Sequence, residues 1–123
     1  MGIKVEQAPP VAVATPANAT SVAYETSRII RRGPGTLKGV SGYSSKTSAQ
    51  FILLFDAARV PVDGAIPVAV IAVQASSNFS IDYGIGGRGF TSGIIVVCSS
   101  TGPTLTIGSA DCWFDAQHGP LVV

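Results

Sequence analysis

Apolar and polar positions alternate over short stretches of this chain, and turn residues cut the stretches at close intervals, a pattern that predicts strands. In Phe79-Ser80-Ile81-Asp82-Tyr83 the alternation is clean and places Phe79, Ile81 and Tyr83 on one face. Two runs break it. Phe51–Asp56 (FILLFD) and the GIIVVC run, 93–98, are continuously apolar, which suits strands covered on both sides, although a short helix competes for the first. Further strands are expected at 21–30, 36–44, 67–74, 104–107 and 111–116. Gly33-Pro34-Gly35, Val60-Pro61-Val62-Asp63-Gly64 and Ser99–Pro103 separate them, with proline presetting φ and Asp-Gly tolerating positive φ. About seven or eight strands at this spacing, with no long amphipathic helix, indicate an all-β fold: an antiparallel β-sandwich, jelly-roll-like. Phe51, Leu53, Phe55, Ile81, Ile95 and Val97 are the residues expected to supply its core.

The first twenty residues differ from the rest. Between Ala8 and Thr20 the chain is built of Ala, Pro, Val, Thr and Asn with no charge, and Pro9, Pro10 and Pro16 oppose both helix and central strand. Residues 1–20 are therefore expected to form an extended N-terminal arm that could span roughly 65 Å when stretched, followed by a β-sandwich over 21–117 and a C-terminal tail over 118–123. An arm with too little apolar area to fold on itself and too few charges to be well solvated gains by lying on another protein, and Pro9, Pro10, Val11, Val13 and Pro16 are its candidate contact residues.

Composition extends the same picture. A chain of 123 residues makes one domain. Charged residues are only 12% and hydrophobic residues 46%, so the charge content is about half that of an ordinary soluble domain, and part of the surface is expected to be covered by partners. No apolar run approaches the roughly 18 residues that would span a bilayer, and MGIKVEQAPP lacks the basic and apolar blocks of a secretory signal. The expectation is a soluble protein made in the cytoplasm, with no membrane partner. With a net charge of +1 and only Arg28, Arg31 and Arg32 clustered, the electrostatic footprint of a nucleic-acid-binding protein is missing. Those arginines read either as the solvated end of a strand or as an ionic contact to a neighbouring subunit.

Candidate chemistry is sparse. Gly84, Gly86 and Gly89 fall in the G-x-G-x-x-G spacing of a dinucleotide-binding turn. That fingerprint needs a helix after the glycines to offer its N-terminus to the pyrophosphate, whereas here Phe90-Thr91-Ser92-Gly93 leads into the β-branched IIVV run. No cofactor is expected. His118, the one histidine, would have to serve as base in any Ser-His-Asp arrangement, and it lies past the last expected strand. Cys112, Asp115 and His118 resemble a metal set, but Cys112 and Asp115 point to opposite faces of a strand. Cys98 and Cys112 read as small buried hydrophobes that could approach each other across the sheet. Trp113, the sole tryptophan, shares a face with Asp111 and Asp115 by alternation, and reads either as a contact residue or as core.

Three segments, GPGTLKGVSGY, AQFILLFDAARVPVDGAIPVAVI and FTSGIIVVCSSTGPTLTIGSADCWFDAQ, resemble a domain of small virion structural proteins of tailed bacteriophages. The likeness spans about residues 20 to 117. It rests on block order: Gly-Pro-Gly, F-x-x-x-FDA, the P-x-DG turn, F-x-[ST]-G before an apolar strand, and SSTGPT. The resemblance implies a non-enzymatic capsid decoration (cement) or head-fibre component in the virion. Its partners would be the major capsid protein and copies of itself, forming a homotrimer if it sits at local three-folds. A tail or fibre component with a carbohydrate-binding face is the alternative, and a small hydrolase using His118 is the remote one.

Overall fold

The computed structural model describes residues 17–121. Among them are nine strands and no helix: β1 (Ala17–Thr20), β2 (Ser27–Arg32), β3 (Gly35–Ser44), β4 (Gln50–Asp56), β5 (Ala69–Val73), β6 (Ser77–Asp82), β7 (Arg88–Phe90), β8 (Gly93–Ser99) and β9 (Cys112–Gly119). The chain is an all-β antiparallel sandwich. Its pairings nest: β1 with β9, β2 with β8, β3 with β6 and β4 with β5. Rolling that long paired ribbon up brings β9 against β3 and β8 against β4, which yields a first sheet in the order β1-β9-β3-β6 and a second in the order β2-β8-β4-β5. The winding is that of a jelly roll.

Between the sheets lie Leu37, Val40, Phe79, Phe114 and Ala116 from the first and Ile30, Ile52, Leu54, Ile94, Val96 and Cys98 from the second. Phe79 and Phe114 meet with ring centroids 6.0 Å apart at a 60° tilt. Gly42 makes room for them, since a Cβ there would come within 2.6 Å of the Phe79 ring and 2.1 Å of the Trp113 carbonyl.

The second sheet has no polar face. Leu53, Phe55, Ile95 and Val97 are buried on its far side, together with Leu105. Two loops form a third layer over them. Leu105 donates its amide to Ala65 O and accepts at its own carbonyl from Gly64 N, while Asp63 Oδ1 accepts from Ile107 N at 2.8 Å. Ser99 Oγ accepts from the amides of Thr101 and Thr106 and fixes the second loop to the end of β8. The expectation of strands covered on both sides therefore holds for β4 and β8, and FILLFD is strand, not helix. Of the expected core set, Leu53, Phe55, Ile95 and Val97 are buried, but under the loops, where half-buried Phe51 joins them; half-buried Ile81 packs on the inter-sheet core, and the opposite parity of β4 and β8 fills the space between the sheets. A run that is apolar at every position carries no mark of which face turns inward.

Other boundaries differ from expectation for local reasons. Residues 17–20, placed in the arm, form β1 on the edge of the first sheet, where Ala19 is buried against the core. The expectation of an arm is thereby confined to residues 1–16, and Pro9, Pro10, Val11, Val13 and Pro16 lie outside the described residues. The first expected strand starts only at Ser27, because the chain between Ser21 and Thr26 crosses from one sheet to the other. Residues 104–107 make a single bridge, Ile107 to Ser99, since their backbone bonds go to the neighbouring loop. At the other end β9 runs on through His118 and Gly119, which pair with Leu37 and Thr36, so the tail expected over 118–123 starts two residues later. The glycine motif resolves into a detour. β6 and β7 pair with successive parts of β3, and between them the chain turns out at Gly84 and back at Gly87, both with positive φ. Strand β7 follows where a nucleotide site would need a helix.

Because both faces of β4 are covered, Leu53→Ala is expected to destabilise the domain as much as Leu54→Ala, by about 2–5 kcal/mol each. Urea denaturation of the two variants tests the third layer: a loss under about 1 kcal/mol for Leu53→Ala alone would show that the loops do not seal that face.

Candidate functional site

The outer face of the first sheet is polar, and its relief follows from side-chain size. Directly opposed residues on antiparallel strands share a face. The register therefore aligns Asn78, Tyr43 and Trp113 in one row, Ser80, Ser41, Asp115 and Thr20 in the next, and Asp82, Gly39, Gln117 and Asn18 in the third. Strand β3 supplies small residues, Gly39 and Ser41, while β6 and β9 stand taller on either side. The result is a trough along β3. Two adjoining depressions of about 380 Å³ each lie in it, one lined by Ser41, Asn78, Ser80 and Trp113, the other by Lys38, Gly39, Ser41, Ser80, Asp82, Asp115 and Gln117.

Trp113 is 39% exposed and forms a wall of the trough. Its other side borders a depression of about 290 Å³ lined by Ser21, Val22, Ala23 and Tyr24. It shares this outer face with Asp115, as alternation indicates, and belongs to the surface, not the core. Asp115 Oδ1 accepts from Thr20 Oγ1 at 2.9 Å, Asp82 Oδ1 accepts from Gly84 N at 2.7 Å, and Lys38 Nζ donates to Ile85 O.

A second surface is apolar. Strand β5 ends its sheet and, among the described residues, pairs with β4 alone. Val68 and Val70 are 39% and 46% exposed there, and Val62, Ile66 and Ile107 on the adjoining loops are also exposed. Exposed apolar groups beside an unpaired strand edge mark an interaction surface.

The arginines divide. Arg28 forms an ion pair with Glu25 at 3.1 Å, Arg31 donates from Nε to Pro34 O at 2.9 Å, and Arg32 is exposed at the strand end. Arg28 is thus charge-paired within the chain, while Arg31 is hydrogen-bonded there to neutral groups only. His118 is not in a tail. It is buried on the inner face of β9, with Nδ1 3.4 Å from the Arg31 guanidinium. Burial, with Arg31 beside it, lowers its pKa below 6.5. No Ser or Cys contacts it among the described residues. Asp115 points outward while Cys112 and His118 point inward, so these three do not converge. Cys98 and Cys112 are free, buried thiols from opposite sheets. Hydrogen bonding to Cys112 and burial push the Cys98 thiol up, and hydrogen bonds from Cys98, Ser44 and Gln50 hold Cys112 below its ordinary value.

Two of the sequence blocks, F-x-x-x-FDA and F-x-[ST]-G, prove to be one brace. Asp56, which ends F-x-x-x-FDA, accepts from Thr91 N, Thr91 Oγ1 and Ser92 N at 2.7 to 3.1 Å, all within F-x-[ST]-G. Burial alone would raise its pKa, but these bonds outweigh it and the carboxyl titrates below 3.8. The trough and the β5 edge escaped sequence reasoning because each is made by pairing register. Beyond the alternation that puts Trp113 and Asp115 on one face, the small residues of Gly39-x-Ser41 were the available signal.

No family model, curated protein or solved structure matches the chain.

Two steps of acid destabilisation are expected. His118 has a lowered folded pKa, so its contribution is complete above the unfolded value near 6.5 and is lost as pH falls below it. Asp56 likewise contributes above 3.8 and loses that contribution as pH falls through its depressed folded value. Urea midpoints across pH 3 to 8 should show that His118→Gln removes the upper step and leaves the lower one; an unchanged slope between about pH 5 and 7 would place the upper step elsewhere.

Proposed function

We propose that this chain is a structural subunit of a tailed-bacteriophage virion, a decoration protein that binds between major capsid subunits and associates with copies of itself. The observation that carries the reading is the uncovered apolar edge at β5, with Val62, Ile66, Val68, Val70 and Ile107 exposed. Such a strip is costly in water and is stabilised by a partner that supplies both a strand and apolar side chains.

The chain contains a suitable partner segment. Strand β1 lies at the side of the sandwich where β1 packs near β2, and β5 lies at the opposite side, near β6. Residues 1–16 precede β1 in sequence, and an extended arm there could add a strand to the β5 edge of a neighbouring copy. Head-to-tail contacts of that kind close into rings when the rotation permits, in keeping with a trimer at a local three-fold. Jelly rolls serve in viral capsids and in lectins, and low charge with a large apolar fraction fits a protein that is covered on assembly. The resemblance of its sequence blocks to phage virion proteins supports the capsid setting. The polar trough favours a second reading, a tail or fibre component whose exposed face binds a ligand.

Removing residues 1–16 spares all nine strands, and Val70→Lys alters only an exposed position, so both variants are expected to melt close to the parent, within the roughly 0.5 kcal/mol typical of surface changes. Each should lower occupancy on capsids stripped of the native copy by about tenfold or more, read by co-sedimentation. Full occupancy by both variants would overturn the β5 edge and the arm as the means of attachment.

A further inference from the structure

We propose that the trough along β3 is a binding site for uncharged carbohydrate, with Trp113 as its stacking wall. The inference is independent of the capsid reading, since it concerns the opposite sheet from the β5 edge.

A sugar ring presents two kinds of surface. Its axial C–H groups form an apolar patch, and its hydroxyls are each donor and acceptor. A protein that holds it needs an aromatic face beside a row of side chains that both give and take hydrogen bonds. The trough provides this combination. Trp113 supplies a partly exposed indole, with Tyr43 beside it in the same row. Asn78 and Gln117 carry amides that donate and accept, Ser41 and Ser80 carry hydroxyls, and Asp82 and Asp115 carry acceptors.

The shape fits an extended ligand. From Lys38 to Gly42 the lined stretch runs four residues along β3, roughly 13 Å at strand rise, and the adjoining depressions share Ser41 and Ser80. Several rings in a row fit that length. The floor is small because Gly39 has no side chain and Ser41 a short one. At Gly39 a Cβ would also come within 3.0 Å of the Ile81 carbonyl.

Charge selects among polar ligands. Around the trough stand Asp82 and Asp115 with Lys38 as the one cation, so the local sign is negative and phosphate or sulfate groups are repelled. Nucleic acid and anionic lipid headgroups are disfavoured on this ground. The exposed lining mixes polar groups with a somewhat larger apolar area, which suits the C–H face of a sugar stacked against Trp113.

Trp113 is the only tryptophan in the chain, so its emission reports the site without a label. The full chain is to be titrated with neutral gluco-, galacto- and N-acetylglucosamine oligosaccharides, and in parallel with heparin fragments and oligogalacturonate. At least one neutral oligomer is expected to change Trp113 emission saturably at millimolar concentration or below, and the acidic series to bind more weakly. Calorimetry with the same oligomer should show about tenfold or greater loss of affinity in Trp113→Ala and a comparable loss in Ser41→Gln, which fills the floor while keeping the reporter. Asn78→Ala should weaken binding severalfold. The proposal is overturned if no neutral oligosaccharide perturbs the emission, if binding survives both Trp113→Ala and Ser41→Gln, or if the acidic series binds in preference.

Discussion

The pair of strands β4 and β8 can face water on neither side. All seven residues of β8 are buried, and β4 is buried at Ile52, Leu53, Leu54 and Phe55 in succession. Any fold of this chain must therefore place two covers on that pair. The first cover is the other sheet, and the second has to be made from the connections, because no further strand or helix is available among the described residues. This requirement explains why the loops around Asp63 and Leu105 are tied to each other by backbone bonds. Loose loops would leave Leu53 and Val97 wet, at a cost of about 1.5–3 kcal/mol for each large side chain.

The short polar and glycine-containing blocks around β4 and β8 are devices for holding these covers in place. Asp56 binds the Thr91-Ser92 turn at the entry to β8, Asp63 caps the Ile107 amide, and Ser99 organises the SSTGPT loop at the exit. Each uses a short polar side chain to satisfy backbone donors where the chain leaves a dry strand. Gly93 belongs to the same set. A Cβ there would come within 2.3 Å of the Ala57 carbonyl, so the backbones of the two central strands approach too closely for any side chain. The blocks thus serve one packing problem together.

The strands with clear local signals were legible in the sequence. β3, β4, β5, β6 and β8 lie within a few residues of the stretches that alternation, β-branching and flanking turns marked. The missed elements are those whose existence depends on a distant partner. Ala17–Thr20 has no strand-like composition and becomes β1 because β9 offers it an edge. Arg88–Phe90 becomes β7 because β3 is long enough to carry two partners in line. His118 was read as tail because Gly119-Pro120 suggests an end, yet Leu37 and Thr36 extend the ladder past it. The trough was illegible for a related reason. Its members come from residues 18 to 117, and nothing local reveals that Ser41 lies between Ser80 and Asp115. Trp113 with Asp115 on one face was the part of the site that period-two alternation could reach.

The two outer surfaces follow from how these constraints divide the sandwich. The second sheet is dry on both sides, so its apolar character continues to its edge, where the loops no longer reach Val68 and Val70 and the strip is left open. The first sheet needs only one apolar face, and its outer face is free to carry polar groups in register. A chain with 12% charged residues places few of them there, so that face is polar mainly through hydroxyls and amides, with Asp82 and Asp115 as its carboxylates. Such a surface stays hydrated with little net charge and selects for ligands that match it bond by bond. The apolar strip, lacking hydrogen-bonding side chains, can discriminate only through its backbone edge and its shape. The open apolar strip on the second sheet and the polar outer face of the first are thus consequences of the same asymmetry in burial.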